Sequence, residues 1–595
     1  MASSEGQETH VLLVALPIQG HLNPMLKFAK LLSRPNLRFT LATTEQGRDL
    51  LSAANTANEE HLNPVDLAFF PDGLPKDHPR ADGSLIESLR NVGAKNLSKI
   101  VESKRFSCIV TVPFAPWVPG VAAAYNIPCA LLWIQACGAY SVYYRYYMKT
   151  NTFPEDLEDL NQTVDLPALP LLEVRDLPSF MLPSSGSNIN NLMLDFVECL
   201  KDVKWVLVNS FYEIESEIID SMSGLKPIIP IGPLVSPFLL GADKDKTLDE
   251  KNLDVWRSDG DWCMEWLDTQ DRSSVVYISF GSLLKWSENQ VESVATALRN
   301  RGVSFLWVIR PKEISQNVAV LQEMVQKGQG VVIEWGPQER ILSHVAISCF
   351  VTHCGWNSTM ETVVTGVPVV AYPSWIDQPL DARLLVDVFG IGVRMRNDAV
   401  DGELKVDEVE RCIEAVMDGP SAEDMRRRAT ELKQAARSAL APGGSSAQNL
   451  DSFIGDITSD AGKDPSDAGK DPSDAVVDTP LPTETAPDAD KDTAYVDTPF
   501  PNEGETEAEK EDKTEAEKED ETEAEKEGET EAEKEDETEA EKEGETEAEK
   551  EGEEAEKEGV TEAEKEGEEA EKEGEEAEKE GETEVDKMME GKDLL

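Results

Sequence analysis

The sequence predicts an α/β protein: two doubly wound, Rossmann-like domains followed by a disordered acidic tail. Three observations predict it. Ten short apolar runs alternate with helical stretches, the pattern of parallel strands buried on both faces. The runs fall into two series, and the charged, Gly-bearing stretch SPFLLGADKDKTLDEKNLDVWRSDGD between them has neither helical nor strand period. Beyond residue 458 the composition changes abruptly. Residues 459–595 hold 58 acidic residues and 16 lysines, so 42 of the chain's 61 net negative charges lie there.

In chain order, the first series is VLLVALP (11–17), RFTLATT (38–44), SCIVTV (107–112), CALLWI (129–134) and KWVLVNS (204–210). The second is VVYISFG (275–281), FLWVIRP (305–311), GVVIEWG (330–336), CFVTHCG (349–355) and PVVAYPS (368–374). Single cores stop growing at roughly 250–300 residues, so the 458 residues before the tail suit two domains. We place the first domain at 1–240, a linker at 241–268, the second domain at 269–440, and a short C-terminal segment at 441–458. A last helix of the body is expected near 423–440. The tail, 459–595, opens with two copies of DAGKDPS and settles into octads near ETEAEKEG. These repeats offer no apolar seam for a coiled coil and repeat like charges, so disorder is expected.

The whole-chain acidity describes the tail rather than the body, and it argues against nucleic-acid binding, which needs clustered Lys and Arg. Eight cysteines without a CxxC pair suit reduced thiols in the cytoplasm. The polar start MASSEGQETH and a short apolar run ending at Pro17 do not make a signal peptide. No run approaches the roughly 20 apolar residues of a membrane span. We expect a cytoplasmic monomer.

Two constellations carry chemistry. Directly after the first run, Pro17-Ile18-Gln19-Gly20-His21-Leu22-Asn23-Pro24 makes a strand-to-helix turn. Such a turn presents His21 at the carboxyl edge of the sheet, the position and chemistry of a general base. The second constellation is WGPQERILSHVAISCFVTHCGWNSTMETVVTGVPVVAYPSWIDQ, residues 335–378. Its order of groups suits a sugar nucleotide read from base to sugar. An indole can stack on uracil, a helix start can hold a diphosphate, a carboxylate can grip the ribose diol, and an acid–amide pair can bind a hexose. GIGVRMR (390–396) lacks the third Gly of a dinucleotide fingerprint, and there is no P-loop.

Residues 335–378 resemble, over their whole length, the plant secondary-product signature of UDP-glycosyltransferases. The resemblance implies a GT-B type fold, with the N-terminal domain binding an acceptor and the C-terminal domain binding UDP-glucose. It also implies that residues 441–458 cross back onto the N-terminal domain. It assigns the base to His21 and donor contacts to Ser282, Trp335, Gln338, His353, Gly355, Trp356, Asn357, Ser358, Glu361, Trp375, Asp377 and Gln378. Gln378 at the last position suggests glucose. Val345 stands where the family commonly has Pro, away from these contacts. No cofactor or metal is expected, UDP-glucose being a co-substrate, and Asp488-Ala-Asp490 in the tail is read as a chance match to a metal-binding DxD.

The family usually sets an Asp beside its histidine, and here that position is Val112. Without that carboxylate His21 is a weaker base, which a phenolic hydroxyl (pKa near 10) would need and a carboxylic acid (pKa roughly 4) would not. The segments SSEGQETHVLLVALPIQGHLNPMLK, LPALPLLEVRDLPSFMLPS and LVNSFYEIESE look most like plant enzymes that esterify carboxylic acids, the auxin indole-3-acetate foremost. The expected reaction is inverting transfer of glucose to a small carboxylic acid, giving a 1-O-acyl β-glucose ester. Trp117, Trp133, Gln135 and Tyr143 are candidates for the acceptor pocket. Alternatives are O-glucosylation of phenolic acids (sinapate, gallate, benzoate) or flavonoid hydroxyls, and, in another class, an interaction protein whose acidic tail hangs on an inactive transferase body.

Overall fold

Each of the ten apolar runs contains a strand in the computed structural model, which describes residues 8–53, 65–75, 78, 84–185, 187–241, 260–281, 286–309, 318–398 and 402–460. The acidic tail, the Asp488–Asp490 triplet, most of the linker and Ser282 lie outside the described residues.

The first sheet contains β1 (Thr9–Val14), β2 (Leu37–Thr44), β3 (Val65–Phe70), β4 (Cys108–Thr111) and β5 (Cys129–Trp133). A two-stranded antiparallel ribbon, β6 (Thr163–Val164) and β7 (Leu172–Glu173), interrupts the series before β8 (Trp205–Val208) and β9 (Ile229–Pro230) complete the sheet. Its order is β3-β2-β1-β4-β5-β8-β9 and every pairing is parallel. The second sheet runs β12 (Gly330–Ile333), β11 (Ser304–Val308), β10 (Val275–Ser279), β13 (Ile347–Thr352), β14 (Val369–Ala371), β15 (Gly392–Arg394), also all parallel. Each sheet therefore reverses its winding once, between β1 and β4 and between β10 and β13. At such a switch point the connections leave toward opposite faces, opening a crevice beyond the carboxyl ends of the strands.

The strands bury both faces as their continuous apolar runs require; all five residues of β10 and all six of β13 are buried. Three strands of the main sheets escaped the sequence reading. β3 is VDLAFF, whose Asp interrupts the run, while β9 and β15 are only two and three residues long. Strands this short carry no readable period and are recruited at the edge by a neighbour already in place.

The expected last helix of the body spans Ala422–Leu440, and a further helix, Ser445–Asp460, follows it. That terminal helix packs on the first sheet: Phe453 lies 6.3 Å from Phe28 and 5.3 Å from Trp205, centre to centre. Asn449 Nδ2 donates to the Pro230 carbonyl at 2.8 Å, and the Trp205 indole N–H donates to Asp456 at 3.1 Å.

Candidate active site

Both switch points open onto one cleft of about 270 Å³. Ile18, Gln19, Gly20 and Asn23, just after β1, line one wall, and Gly281, His353 and Gly355, just after β10 and β13, line the opposite one. The cleft joins two of the predicted constellations although their members are more than 300 residues apart in the chain.

On the second wall, the helix Trp356–Thr365 begins at Gly355, which has no side chain to cap it, and its first turn carries no acidic residue. The first backbone N–H groups of such a helix lack intrahelical partners and carry the positive end of the helix dipole, so they favour an anion. Trp356 lines the cleft, and its indole N–H donates to the Asn209 carbonyl of the N-terminal domain at 2.6 Å. Asn357, Ser358 and Glu361 follow along the helix and all line the cleft. Gln338 binds three of its neighbours at once. Its amide donates to Ser358 Oγ at 2.9 Å and Glu361 Oε2 at 2.8 Å, and its carbonyl oxygen accepts from the Tyr277 hydroxyl at 3.1 Å. The Trp335 ring lies on the same wall.

His353 is held between two glycines. A Cβ on Gly281 would lie 2.7 Å from its Nε2, and one on Gly355 would lie 2.6 Å from it. Gly281 also has φ of +71°, a conformation only glycine adopts at no cost. Burial lowers the His353 pKa to about 4, so the imidazole is neutral near pH 7 and acts through hydrogen bonding, not charge.

At the far end, Gln378 Oε1 accepts from the backbone N–H of Ser374 at 3.0 Å and of Trp375 at 3.2 Å, which shapes the turn carrying the Trp375 ring. Ile376 sits at φ +59°, and Ser179 of the N-terminal domain clasps it in both directions, each hydrogen bond 2.7 Å long. Asp377 is buried, and desolvation raises its pKa to about 6 against hydrogen bonds that include one from Gln135. Asp381, one turn further along the helix Gln378–Arg383, is wholly buried, and burial pushes its carboxyl well above the usual range, with the Asp377 charge adding to the effect.

His21, next to Gly20 on the same helix, does not itself line the cleft: it is 6% exposed and its ring stacks on Phe114 at 5.5 Å. Its Nδ1 has no hydrogen-bond partner among the described residues, and burial alone lowers its pKa to about 4. Val112, at the family's Asp position, is 1% exposed. No carboxylate among the described residues takes the place of that Asp.

The four acceptor candidates do not line this cleft. Trp133 and Tyr143 are 0% exposed core residues. The Trp133 indole stacks on Phe196 at 5.2 Å and spends its N–H on the Ala136 carbonyl at 2.8 Å. Neither ring lines the cleft, and both are enclosed by the core. Gln135 is buried against Asp377, and half-buried Trp117 packs edge-on to Phe70 at 6.4 Å. The aromatic groups beside the site are instead Phe114 and Phe180, 5.8 Å apart, with Phe180 a further 6.3 Å from Trp375. They form a half-buried run from His21 to Trp375. Phe114 follows the expected Val112 position by two residues and could have been read from that pattern; Phe180, in the single 3-10 turn Ser179–Met181, gave no signal.

All eight cysteines are free. Among the described residues no group of three or more His, Cys, Asp or Glu could hold a metal ion, and no helix is long and apolar enough to cross a membrane.

Residues 260–432 match the family model described as UDP-glucoronosyl and UDP-glucosyl transferase. UDP-glycosyltransferase 84B2 of Arabidopsis thaliana is 78% identical over 445 residues, covering 75% of this chain and 99% of that protein. Gallate 1-beta-glucosyltransferase of Quercus robur is 37% identical over 468 residues, covering 75% of this chain and 89% of its own length. Among solved structures, Os79 from O. sativa in complex with UDP superposes with a TM-score of 0.67 at 32% identity, covering 75% of this chain and all of that one. The two parallel sheets, the cleft between them and these similarities together place the chain in the UDP-glucosyltransferase family, as a GT-B enzyme of the plant family 84 type that uses a UDP-sugar donor.

Proposed function

We propose that the enzyme transfers glucose from UDP-glucose, with inversion, to the carboxylate of a small aromatic acid, indole-3-acetate foremost, yielding a 1-O-acyl β-glucose ester. The observation that carries this reading is the isolation of His21. Moving a proton from a phenol of pKa near 10 to an imidazole of pKa about 4 is uphill by roughly 8 kcal/mol before any bond to sugar forms. A carboxylic acid of pKa roughly 4 is already ionised at pH 7, so the acceptor needs aligning and desolvating, not deprotonating.

In this mechanism the acceptor carboxylate lies beside His21, with its ring against Phe114 and Phe180, and attacks the anomeric carbon opposite the UDP. The C1–O bond to UDP breaks as the ester C1–O bond forms, and UDP leaves with the electron pair. Trp335 stacks on uracil and the Gln338 backbone reads its edge; Glu361 binds the ribose hydroxyls. Ser282, Asn357, Ser358, His353 and the N–H groups from Gly355 onward stabilise charge on the departing diphosphate. Trp375, Asp377 and Gln378 bind the glucose. The glucose-ester-forming name of the Quercus relative and the sequence likeness to auxin-esterifying enzymes support the acid class and the specific acid, respectively. Eight unpaired cysteines support a reducing, cytoplasmic setting.

The test is turnover of UDP-glucose with indole-3-acetate, benzoic and cinnamic acids, and a flavonol. Ester products are cleaved by mild alkali; glucosides are not. Alkali-stable products from the flavonol alone would overturn the reading.

A further inference from the structure

The helix Gln19–Leu31 carries His21 near its start and Lys27 less than two turns later. Lys27 belongs to the N-terminal domain, yet its ammonium reaches across the cleft. It donates to Glu339 Oε1 at 2.7 Å and to Glu361 Oε1 at 3.4 Å. All three side chains are largely shielded, at 8%, 14% and 11% exposure. Glu339 Oε1 also accepts from the Ser236 backbone N–H at 3.2 Å. Burial alone would raise the Glu339 pKa, but the Lys27 charge and these hydrogen bonds outweigh it and hold the carboxyl below its usual value. The pair is therefore ionised and shielded from water, where a charge-assisted hydrogen bond is strong.

Glu361 is thus gripped on each oxygen by a different domain: Oε1 by Lys27 and Oε2 by Gln338. A carboxylate that must present both oxygens to a vicinal diol has to be held in one rotamer, and a lysine on its outer side does that. The same lysine fastens the His21 helix to the nucleotide wall.

We infer that Lys27 is a positioning residue for the donor: it orients Glu361 toward the ribose of UDP and couples nucleotide binding to the placement of the helix that bears His21. This rests on the reading of Glu361 as the ribose ligand. It assigns to the acceptor domain a direct part in nucleotide affinity, which the likeness of residues 335–378 alone would locate wholly in the C-terminal domain.

The test uses full-length enzyme and UDP as the probe, measured by calorimetry, together with the KM for UDP-glucose and the KM for the acid. Lys27→Met is expected to weaken UDP binding about tenfold, the loss of roughly one charge-assisted hydrogen bond. It should raise the KM for UDP-glucose to match and leave the KM for the acid within twofold (about the error of such a comparison). Lys27→Arg should restore most of the affinity. Because Lys27→Met removes the cation from beside two buried carboxylates and could fail to fold, the double variant Lys27→Met/Glu339→Gln is made alongside. The proposal expects the double variant to bind UDP as weakly as the single one, since Lys27 no longer holds Glu361 Oε1. Restored affinity in the double variant would overturn it, because the defect would then belong to Glu339. Normal UDP binding by Lys27→Met while Glu361→Ala binds poorly would overturn the proposal and leave the ribose reading standing. Normal binding by Glu361→Ala would overturn both.

Discussion

Asn357 Nδ2 reaches the Gly20 carbonyl at 3.4 Å, from one domain to the other, and Pro24 leaves that carbonyl open. Gly20 precedes Pro24 by four residues inside one helix, and proline has no N–H to donate back. The residue next to the proposed base is thereby registered against the helix start that faces the diphosphate. Pro24→Ala would supply the missing donor inside the helix and compete with Asn357. We expect it to lower kcat/KM for UDP-glucose severalfold while the melting temperature holds or rises, the interior proline being worth about 3 kcal/mol against a helix. Steady-state kinetics and thermal unfolding of the same sample check this.

His21 should behave as an aligned, neutral imidazole. With its pKa at about 4, it does not change charge between pH 5.5 and 8, so kcat/KM with a carboxylic acid should show no inflection from His21 over that range, an inflection near pH 6 belonging to Asp377. General-base catalysis is worth roughly 10²–10⁴-fold, and His21→Ala should cost toward the lower end of that range or less with a carboxylate acceptor. A larger loss, or a rise in rate through pH 6–7 that His21→Ala abolishes, would show a titrating base.

Restoring the carboxylate is the complementary change. Val112→Asp places an acid at the end of β4, beside the strand that leads to His21; an ionised neighbour raises a histidine pKa and orients its ring. Glucosylation of a flavonol hydroxyl should rise at least about tenfold, with a stability loss of about 1–3 kcal/mol for burying the new polar group. Product analysis against wild type, with chemical denaturation alongside, decides it.

The glycines around His353 admit no side chain. Gly355→Ala would bring a methyl group to 2.6 Å from Nε2, and Gly281→Ala would add a strained φ of +71° to a 2.7 Å clash. Both should weaken UDP binding by about tenfold or more, Gly281→Ala with the greater loss of stability, of about 1–2 kcal/mol from backbone strain. Calorimetric titration of UDP separates the binding loss from any loss of fold.

Asp381 should destabilise the enzyme as the pH rises. It is 0% exposed, neither oxygen has a hydrogen-bond partner that a carboxylate could use, and Asp377 and Glu215 add negative charge nearby. Its folded-state pKa is raised, so the folded protein holds a proton that the unfolded chain releases above roughly pH 4. Stability is therefore lost as pH climbs from that value toward the folded pKa. Asp381→Asn mimics the protonated form, and its melting temperature should exceed that of wild type by more at pH 8 than at pH 5. An equal gap at both would show that Asp381 is charged in the fold.

Removing residues 461–595 should leave turnover within about twofold. Every described residue that lines the cleft lies between Ile18 and Gln378, and the Arabidopsis relative is covered over 99% of its own length by three quarters of this chain. Loss of all activity on truncation would instead favour a tail that works with the body.

The fold class, ten strands of the two main sheets and the strand-to-helix turns that carry the expected donor residues were legible because they are written locally. A continuous apolar run reports a strand buried on both faces, and a strand end followed by Gly reports a turn at the sheet edge, whatever the rest of the chain does. The missing acid at Val112 was legible for the same reason, a single position set against a local pattern. What only the tertiary structure decided was which side chains end on a surface and which meet across the cleft. Trp133 and Tyr143 read as an aromatic pocket but are buried, Trp133 against Phe196, while Phe114 and Phe180 stay half-buried between His21 and Trp375. Lys27 looks like any helix lysine until the folding of two sheets brings it to Glu339, 312 residues away. Periodicity encodes which face of an element is buried; it carries no information on which distant element covers that face, because that is settled by packing and by the pairing of buried charges.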